Sequence, residues 1–183
     1  IGNDIMPIEI IHAMAVIKLS CAKTNLKQKN ISLKIANAIV QSANIVLTGK
    51  YNNQFPLSVW QTGSGTQTNM NVNEVIANLA NKKFGKPLGS NDPVHPNDHV
   101  NMSQSTNDSF PTAINIASAI QIKMNMEPAL KKIETTLKSQ AKKWGKIIKI
   151  GRTHLQDATP LSLGQEFSGY AAQITSNIKR INT

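Results

Sequence analysis

Apolar residues recur every three or four positions through most of the chain, which is the spacing of one face of an α-helix. The first series is Met6, Ile10, Ala13, Ile17 and Cys21. Pro7 stands where the first turn of that helix tolerates proline. Five further helices are predicted over residues 31–49, 71–84, 108–124, 130–144 and 160–181. Asp108 is expected to cap the fourth helix of the chain, with Pro111 in its first turn, and Pro160 to open the last.

The helical pattern leaves little room for a sheet. Residues 147–150 are the only strand candidate and are too short to found one. The sequence therefore predicts an all-α fold. Residues 1–122 form an N-terminal domain of mixed helices and loops, and residues 123–183 form the start of a long helical bundle. No apolar run reaches eighteen residues, so no membrane span is expected.

A net charge of +10 over 183 residues raises the possibility of nucleic-acid binding. Only Arg152 and Arg180 are arginine, the lysines are dispersed, and aromatic residues make up 4% of the chain. A solvated basic surface is therefore favoured, and a nucleic-acid-binding module stays as an alternative that predicts salt-dependent oligonucleotide binding. The single cysteine, Cys21, excludes an internal disulfide and is expected to be a small buried residue.

Three segments rich in uncharged hydrogen-bonding residues interrupt the helices. In residues 60–74, Gly63 and Gly65 permit unusual backbone angles, while Ser64 and Thr66 lead into a helix whose free N–H groups attract anions. An oxyanion or carboxylate site and an ordinary capped turn are both consistent with this segment.

The second segment, residues 94–111, contains His95 and His99 at a spacing that resembles a metal site. Pro96 disfavours a regular helix across them, so no metal is expected. Ser105, Thr106 and Asn107 stand just before a helix, where hydroxyl and amide groups can donate to an anion or cap the helix.

The third segment, residues 151–160, contains His154 between Thr153 and Gln156. An unperturbed imidazole titrates near pH ~6.5 and therefore suits proton transfer, although a structural histidine is the alternative. Arg152 and Asp157 can pair to hold this loop.

Taken together, these segments resemble the class II fumarate hydratases, in the superfamily that also holds aspartase and argininosuccinate lyase. The resemblance rests on Gly-Ser-Gly-Thr-Gln at 63–67, His-Pro-Asn-Asp at 95–98, Gln-Ser-Thr-Asn-Asp at 104–108 and Gly-Arg-Thr-His-Leu-Gln-Asp-Ala at 151–158. Met-Pro at 6–7 and Gly-Gln-Glu-Phe at 164–167 extend it along the chain. It implies a fumarase/aspartase-like fold and the reversible hydration of fumarate to L-malate, a step of the tricarboxylic acid cycle, without a metal or organic cofactor.

The resemblance also implies roles for individual residues. His154 is the acid/base residue, and Thr153 positions the substrate. Ser64, Gly65 and Thr66 bind a substrate carboxylate, and Ser105, Thr106 and Asn107 hold the dicarboxylate from another subunit. A second anion site is formed by His95, Pro96, Asn97 and Asp98. The reaction passes through an aci-carboxylate intermediate that neutral donors stabilise.

Members of the resembled family form homotetramers whose active sites combine three subunits, and they are more than twice as long as this chain. The chain is therefore expected to be an N-terminal portion that is inactive and prone to aggregate by itself. Nucleic acid and membranes are not expected partners, and the expected location is the cytoplasm, with the mitochondrial matrix as the alternative.

Two positions depart from the fumarase pattern: Thr106 replaces the usual Ser, and Met102 the usual Lys. Thr106 is the aspartase-like choice, whereas aspartases generally have Gln in place of His154 and lack His95. Fumarase is therefore favoured over an aspartase-type ammonia lyase. A noncatalytic member such as a lens crystallin is expected to lose site residues, and those visible here are retained.

Overall fold

A computed structural model describes residues 4–61 and 65–183, and in that part of the chain it shows six α-helices and one β-hairpin. The elements are α1 (Ile8–Lys27), α2 (Leu33–Leu47), α3 (Thr66–Lys83), α4 (Thr106–Gln121), α5 (Glu127–Lys143), β1 (Ile148–Thr153), β2 (Gln156–Ser162) and α6 (Leu163–Ile181). The predicted all-α class is confirmed, with a small hairpin added to it. None of the described helices has the length and apolarity to cross a membrane.

The chain divides into two compact units, Ile1–Ser118 and Ala119–Thr183. The domain boundary predicted between residues 122 and 123 falls a few residues later, in the π-helical turn Ile122–Met126 that joins α4 to α5.

The first unit is built on α1, α2 and α3, each of which packs against the other two. Its fully buried apolar side chains include Met14, Ile39, Val46, Val72 and Ile76. Each such side chain stabilises the fold by about 1.5–3 kcal/mol relative to an exposed one. Buried alanines on all three helices keep the interior side chains small where the helices meet.

The most buried stripe of α1 is Ile11, Ala15, Lys18, Ala22 and Asn25. The helix predicted from the series Met6–Cys21 is confirmed, but Ile10, Ile17 and Cys21 of that series are only half-buried, so the expectation that Cys21 is buried is wrong. The helix is apolar around much of its circumference, so apolar spacing alone does not identify the innermost face. That face includes a lysine and an asparagine.

Two helices begin earlier than predicted. α3 starts at Thr66 rather than near residue 71, because Gly65 takes a left-handed conformation (φ 73°) at its N-cap and buried polar side chains replace apolar ones in its first turns. α4 starts at Thr106, so Asp108 lies in the first turn instead of capping it. The hydroxyl of Ser105 accepts a hydrogen bond from the Asn107 N–H at 3.3 Å and takes over that role.

The second unit pairs α5 with α6 and attaches the hairpin to the start of α6. Trp144 and Phe167 meet edge to face, with ring centroids 4.7 Å apart. Ser162 and Gln165 form a capping box, so α6 begins at Leu163 and not at Pro160.

The expected loop over residues 151–160 is a β-hairpin, and the expectation that no sheet forms is wrong. β1 pairs antiparallel with β2, from Ile148 opposite Ser162 to Thr153 opposite Gln156. The pattern missed it because β2 lacks the alternation of apolar and polar residues that marks a strand. A two-residue turn, His154 (φ 49°) and Leu155 (φ 63°), closes the hairpin with the positive φ angles that a type I′ turn requires.

One buried side chain ties the long loop after α3 to that helix. The Asn81 amide accepts from the Val94 N–H at 2.8 Å and donates to the Val94 carbonyl at 2.9 Å. Both residues are fully buried. This pair fixes the chain immediately before His95.

Asn81→Ala is expected to lower the free energy of unfolding by about 2–4 kcal/mol, because it leaves two buried backbone groups of Val94 unpaired. Urea denaturation of the complete gene product that contains this chain measures the loss. Lys82→Ala, an exposed change at the next position of the same helix, is the matched control. Equal urea midpoints for the two variants would contradict the role given to Asn81.

Gly65→Ala is expected to destabilise the protein more than Gly89→Ala. Both glycines have positive φ, 73° and 76°, so the backbone cost of a side chain is matched. A Cβ at position 65 would stand 2.4 Å from the Phe110 ring, whereas a Cβ at position 89 would meet nothing within 4 Å. Overpacking of this kind costs about 1–3 kcal/mol.

Thermal denaturation of the two alanine variants measures that difference. Adding Phe110→Leu to each should reduce the excess cost at position 65 and leave the cost at 89 unchanged. The same cost at both glycines would show that the close approach of Phe110 does not constrain the start of α3.

Candidate functional site

The first turns of α3 and α4 lie side by side in the first unit. Gly65 lies against the Phe110 ring, which belongs to the first turns of α4. The Asn69 side-chain amide donates to the Thr106 hydroxyl at 2.9 Å. The structure therefore brings Gly65 and Thr66 close to Thr106 within one chain, whereas Thr106 was expected to reach that site from another subunit. Ser64 lies outside the described residues.

These two helix starts present polar groups toward solvent. Thr66, Ser105 and Asn107 are exposed, and Thr106 is half-buried. The first N–H groups of a helix lack intrahelical partners, and the helix dipole adds partial positive charge there. Two such ends placed together favour a carboxylate ligand.

A buried lysine lies behind the paired helix starts. The Lys18 ammonium donates to the side-chain oxygens of Asn69 at 2.7 Å, Asn101 at 2.9 Å and Gln104 at 2.8 Å. Its side chain is 0% exposed. All three ammonium protons are therefore used, and each acceptor is a neutral amide.

The charge of Lys18 has no opposite charge beside it. No described carboxylate forms an ion pair with it. Burial accordingly lowers the pKa of Lys18 from 10.5 to about 8. The nearby Cys21 thiol has its pKa raised by burial, and the Lys18 charge offsets part of that rise.

Lys18 was not among the functional residues predicted from the sequence. Its signal was available, because Lys18 occupies the same helical face as Ile11, Ala15 and Ala22, and an ammonium on such a face needs acceptors. Its acceptors lie at the start of α3 and in the segment that precedes α4, where amide side chains are dense.

The residues proposed for a second anion site form the π-helical turn Pro96–Val100 and its cap. His95 Nδ1 accepts from the N–H groups of Asn97 and Asp98, both at 3.2 Å. His99 Nδ1 accepts from the His95 N–H at 2.9 Å, and burial lowers the pKa of His99. Both histidines therefore shape this turn through Nδ1, and their role in binding an anion stays a prediction.

The described residues contain no group of three or more His, Cys, Asp or Glu side chains able to hold a metal ion. His95 and His99 also already use one ring nitrogen each to accept a backbone hydrogen. A metal role therefore finds no support in the geometry of this turn.

Thr153 and His154 belong to the second unit, at the tip of the hairpin, and both are exposed. Below the tip, Arg152 pairs with Asp157 at 3.0 Å, as expected. The pairing register shifts between Ile150 and Arg152. A Cβ on the intervening Gly151 would stand 2.6 Å from the Thr159 carbonyl oxygen, so this bulge requires glycine. The imidazole is thus carried on a short hairpin with a defined shape.

Comparison with known proteins shows which family the chain belongs to. The profile of a family described as "Lyase" matches residues 3–183. A class II fumarate hydratase of Bradyrhizobium diazoefficiens is 56% identical over 99% of the chain, and one of Neisseria meningitidis is 54% identical over all of it. The chain spans 38% and 39% of the lengths of these curated relatives.

Solved structures agree with the sequence comparison. A class II fumarase from Schistosoma mansoni superposes with a TM-score of 0.90 at 46% identity, covering 96% of this chain and 37% of that one. A fumarate lyase:delta crystallin from Brucella melitensis superposes with a TM-score of 0.93 at 37% identity, covering 98% of this chain and 42% of that one. The resemblance to class II fumarate hydratases is thereby confirmed, and the chain belongs to the lyase family.

Proposed function

We propose that the complete gene product containing this chain catalyses the reversible hydration of fumarate to L-malate. The observation that carries the proposal is the pairing of the α3 and α4 N-termini through the hydrogen bond from Asn69 to Thr106. It places neutral donors and two helix dipoles where a carboxylate can bind. The names of the relatives support fumarate as the dicarboxylate.

Substrate binding uses groups that stay neutral. A carboxylate at the paired helix starts can accept from the hydroxyls of Thr66 and Thr106 and from the Asn107 amide. Neutral donors bind it without the strong ion pair that an arginine would form. They can therefore interact more strongly with the charge that develops in the transition state than with the substrate carboxylate.

The chemical step is the addition of water across a carbon–carbon double bond. In the reverse direction, removal of the proton from the carbon beside a carboxylate moves its electron pair into that group and gives an aci-carboxylate dianion. Donors already in place stabilise the added charge without reorganisation. The hydroxyl group then leaves the neighbouring carbon as water.

His154 is suited to transfer the proton of the water molecule that is added to the double bond. Its imidazole can take a proton from water as the C–O bond forms and return that proton to the leaving hydroxyl in reverse. The resemblance assigns abstraction of the carbon proton to a serine loop of the family that these 183 residues do not contain. His154 is therefore proposed as one member of an acid/base pair.

The assembly is part of the same proposal. The resemblance to class II fumarate hydratases suggests a homotetramer in which each active site combines residues of three subunits. The exposure of Thr66, Asn107, Thr153 and His154 is compatible with such shared sites. The cytoplasmic location stays a prediction.

Position 106 does not separate fumarase from aspartase chemistry. The hydrogen bond from Asn69 ends on the Thr106 hydroxyl oxygen, and serine carries the same group. His154 is the better guide, because the imidazole is the group that the proposed proton transfer uses.

We expect the complete gene product to convert L-malate to fumarate and His154→Asn to lower kcat by about a hundredfold or more, the range of lost acid/base catalysis. Asparagine tolerates positive φ, so the substitution keeps the type I′ turn. Ultraviolet absorbance of fumarate measures turnover, with L-aspartate as substrate in a parallel assay.

His12→Asn is the matched control, since His12 lies on α1 and contacts only Asn52 among the hydrogen bonds described. It should retain the wild-type rate. Turnover of L-aspartate alone would reassign the protein as an ammonia lyase, and turnover of neither substrate would overturn the proposal.

A further inference from the structure

Lys18 fixes the direction of a chain of hydrogen bonds that ends at the proposed binding site. Its ammonium can only donate, so the Asn69 side chain must turn its oxygen toward it. The Asn69 nitrogen then points the other way and donates to the Thr106 hydroxyl oxygen. Because Thr106 accepts in this bond, its own hydroxyl proton is left to point toward a ligand.

Two further amides reinforce that direction. The Asn101 side-chain oxygen accepts from both Lys18 and Asn69, at 2.9 and 3.2 Å. The Gln104 side chain accepts from Lys18 and donates to the carbonyls of Val100 and Met102. None of these amides can reverse without placing an N–H group against the ammonium.

We propose that Lys18 is a positioning residue for the reaction: through Asn69 it keeps Thr106 a hydrogen-bond donor, and its uncompensated charge favours a carboxylate at the paired starts of α3 and α4. This inference rests on the proposed function. The lysine acts through Asn69 and is not assigned a contact with substrate.

The charge makes substrate binding depend on pH in a defined direction. A bound carboxylate favours the protonated ammonium, so binding raises the pKa of Lys18 above its free value of about 8. The complex then holds more protons than the free protein above that pH. Affinity should therefore be highest below about pH 8 and fall as pH rises through it.

Other titratable groups lie farther from the Lys18 ammonium than its three amide acceptors. Cys21 on α1 interacts with its charge, and Asp108 on α4 interacts with Cys21. The elements packed against α1 also carry Lys34, Glu74, Lys82, Lys83, His95, Asp98 and His99. No described member of this set pairs with Lys18, so the alkaline fall in affinity is assigned to the lysine.

The first test is Lys18→Met in the complete gene product, with kcat and KM for L-malate measured between about pH 6 and pH 9. We expect KM at neutral pH to rise about tenfold, which corresponds to about 1.4 kcal/mol of lost binding. The change in kcat should be smaller, and the alkaline rise of KM should disappear. Lys23→Met, an exposed lysine on the same helix, removes the same charge and should leave both constants unchanged.

The second test is Asn101→Asp, which keeps an oxygen beside the ammonium and adds a compensating negative charge. We expect KM at neutral pH to rise as in Lys18→Met. The alkaline rise of KM should move to higher pH, because a neighbouring carboxylate raises the pKa of a lysine. Loss of the alkaline rise in one variant and its displacement to higher pH in the other are not expected of a purely structural lysine.

The proposal is overturned if the folded variants keep the wild-type KM and pH profile and differ only in melting temperature. If Lys18→Met does not fold, Asn101→Asp decides alone. Calorimetric binding of fumarate separates this inference from the proposed function. If the wild-type protein binds fumarate but does not convert it, the proposed function alone is overturned. If the wild-type protein is active and both variants behave like it, the role of Lys18 is overturned. If the wild-type protein neither binds nor converts fumarate, both are overturned.

Discussion

The three hydrogen bonds of the Lys18 ammonium are the constraint on which the first unit depends. Their acceptors at positions 69, 101 and 104 come from the start of α3 and from the segment that precedes α4. A buried ammonium is costly unless its protons are bonded, so these parts of the chain must converge wherever the lysine is buried. The relative placement of the two helix starts follows from satisfying one side chain.

The same constraint has a cost in stability. In the unfolded chain a lysine titrates near 10.5, whereas the buried Lys18 titrates near 8. Between those values the unfolded state binds more protons than the folded state, so the lysine's contribution to stability becomes more favourable as pH rises. At neutral pH its full cost is present. An interior apolar residue would avoid that cost and would also remove the positive charge, so the arrangement favours anion binding over stability.

The fold was predictable where side-chain periodicity and structure agree. The helices of the first unit were expected because apolar residues follow the helical repeat, and Gly65 and Thr106 were expected to bind substrate, although from different subunits. Lys18 was missed because a polar residue on a largely apolar helix is usually taken to face solvent. Its spacing from Ile11 and Ala22 indicated instead that it lies on the buried face. The hairpin was missed because β2 shows no alternation, and its turn uses His154 and Leu155 in place of the glycine and asparagine that usually mark a type I′ turn. Lys18 is placed by acceptors 51–86 residues away, and the hairpin by backbone pairing without side-chain alternation, so local apolar spacing reports neither.

The positive φ at the hairpin tip limits which side chains position 154 accommodates at low energetic cost. A backbone with positive φ accepts glycine readily and asparagine, aspartate and histidine better than other residues. Only two of those four residues have an ionisable side chain, so aspartate and histidine are the acid/base groups that this turn accommodates most easily. Glutamate, lysine or tyrosine would cost the turn more backbone strain, as Leu155 does at the next position (φ 63°). Evolution of a different reaction at position 154 is therefore limited by backbone geometry. It favours aspartate or histidine unless the turn itself changes.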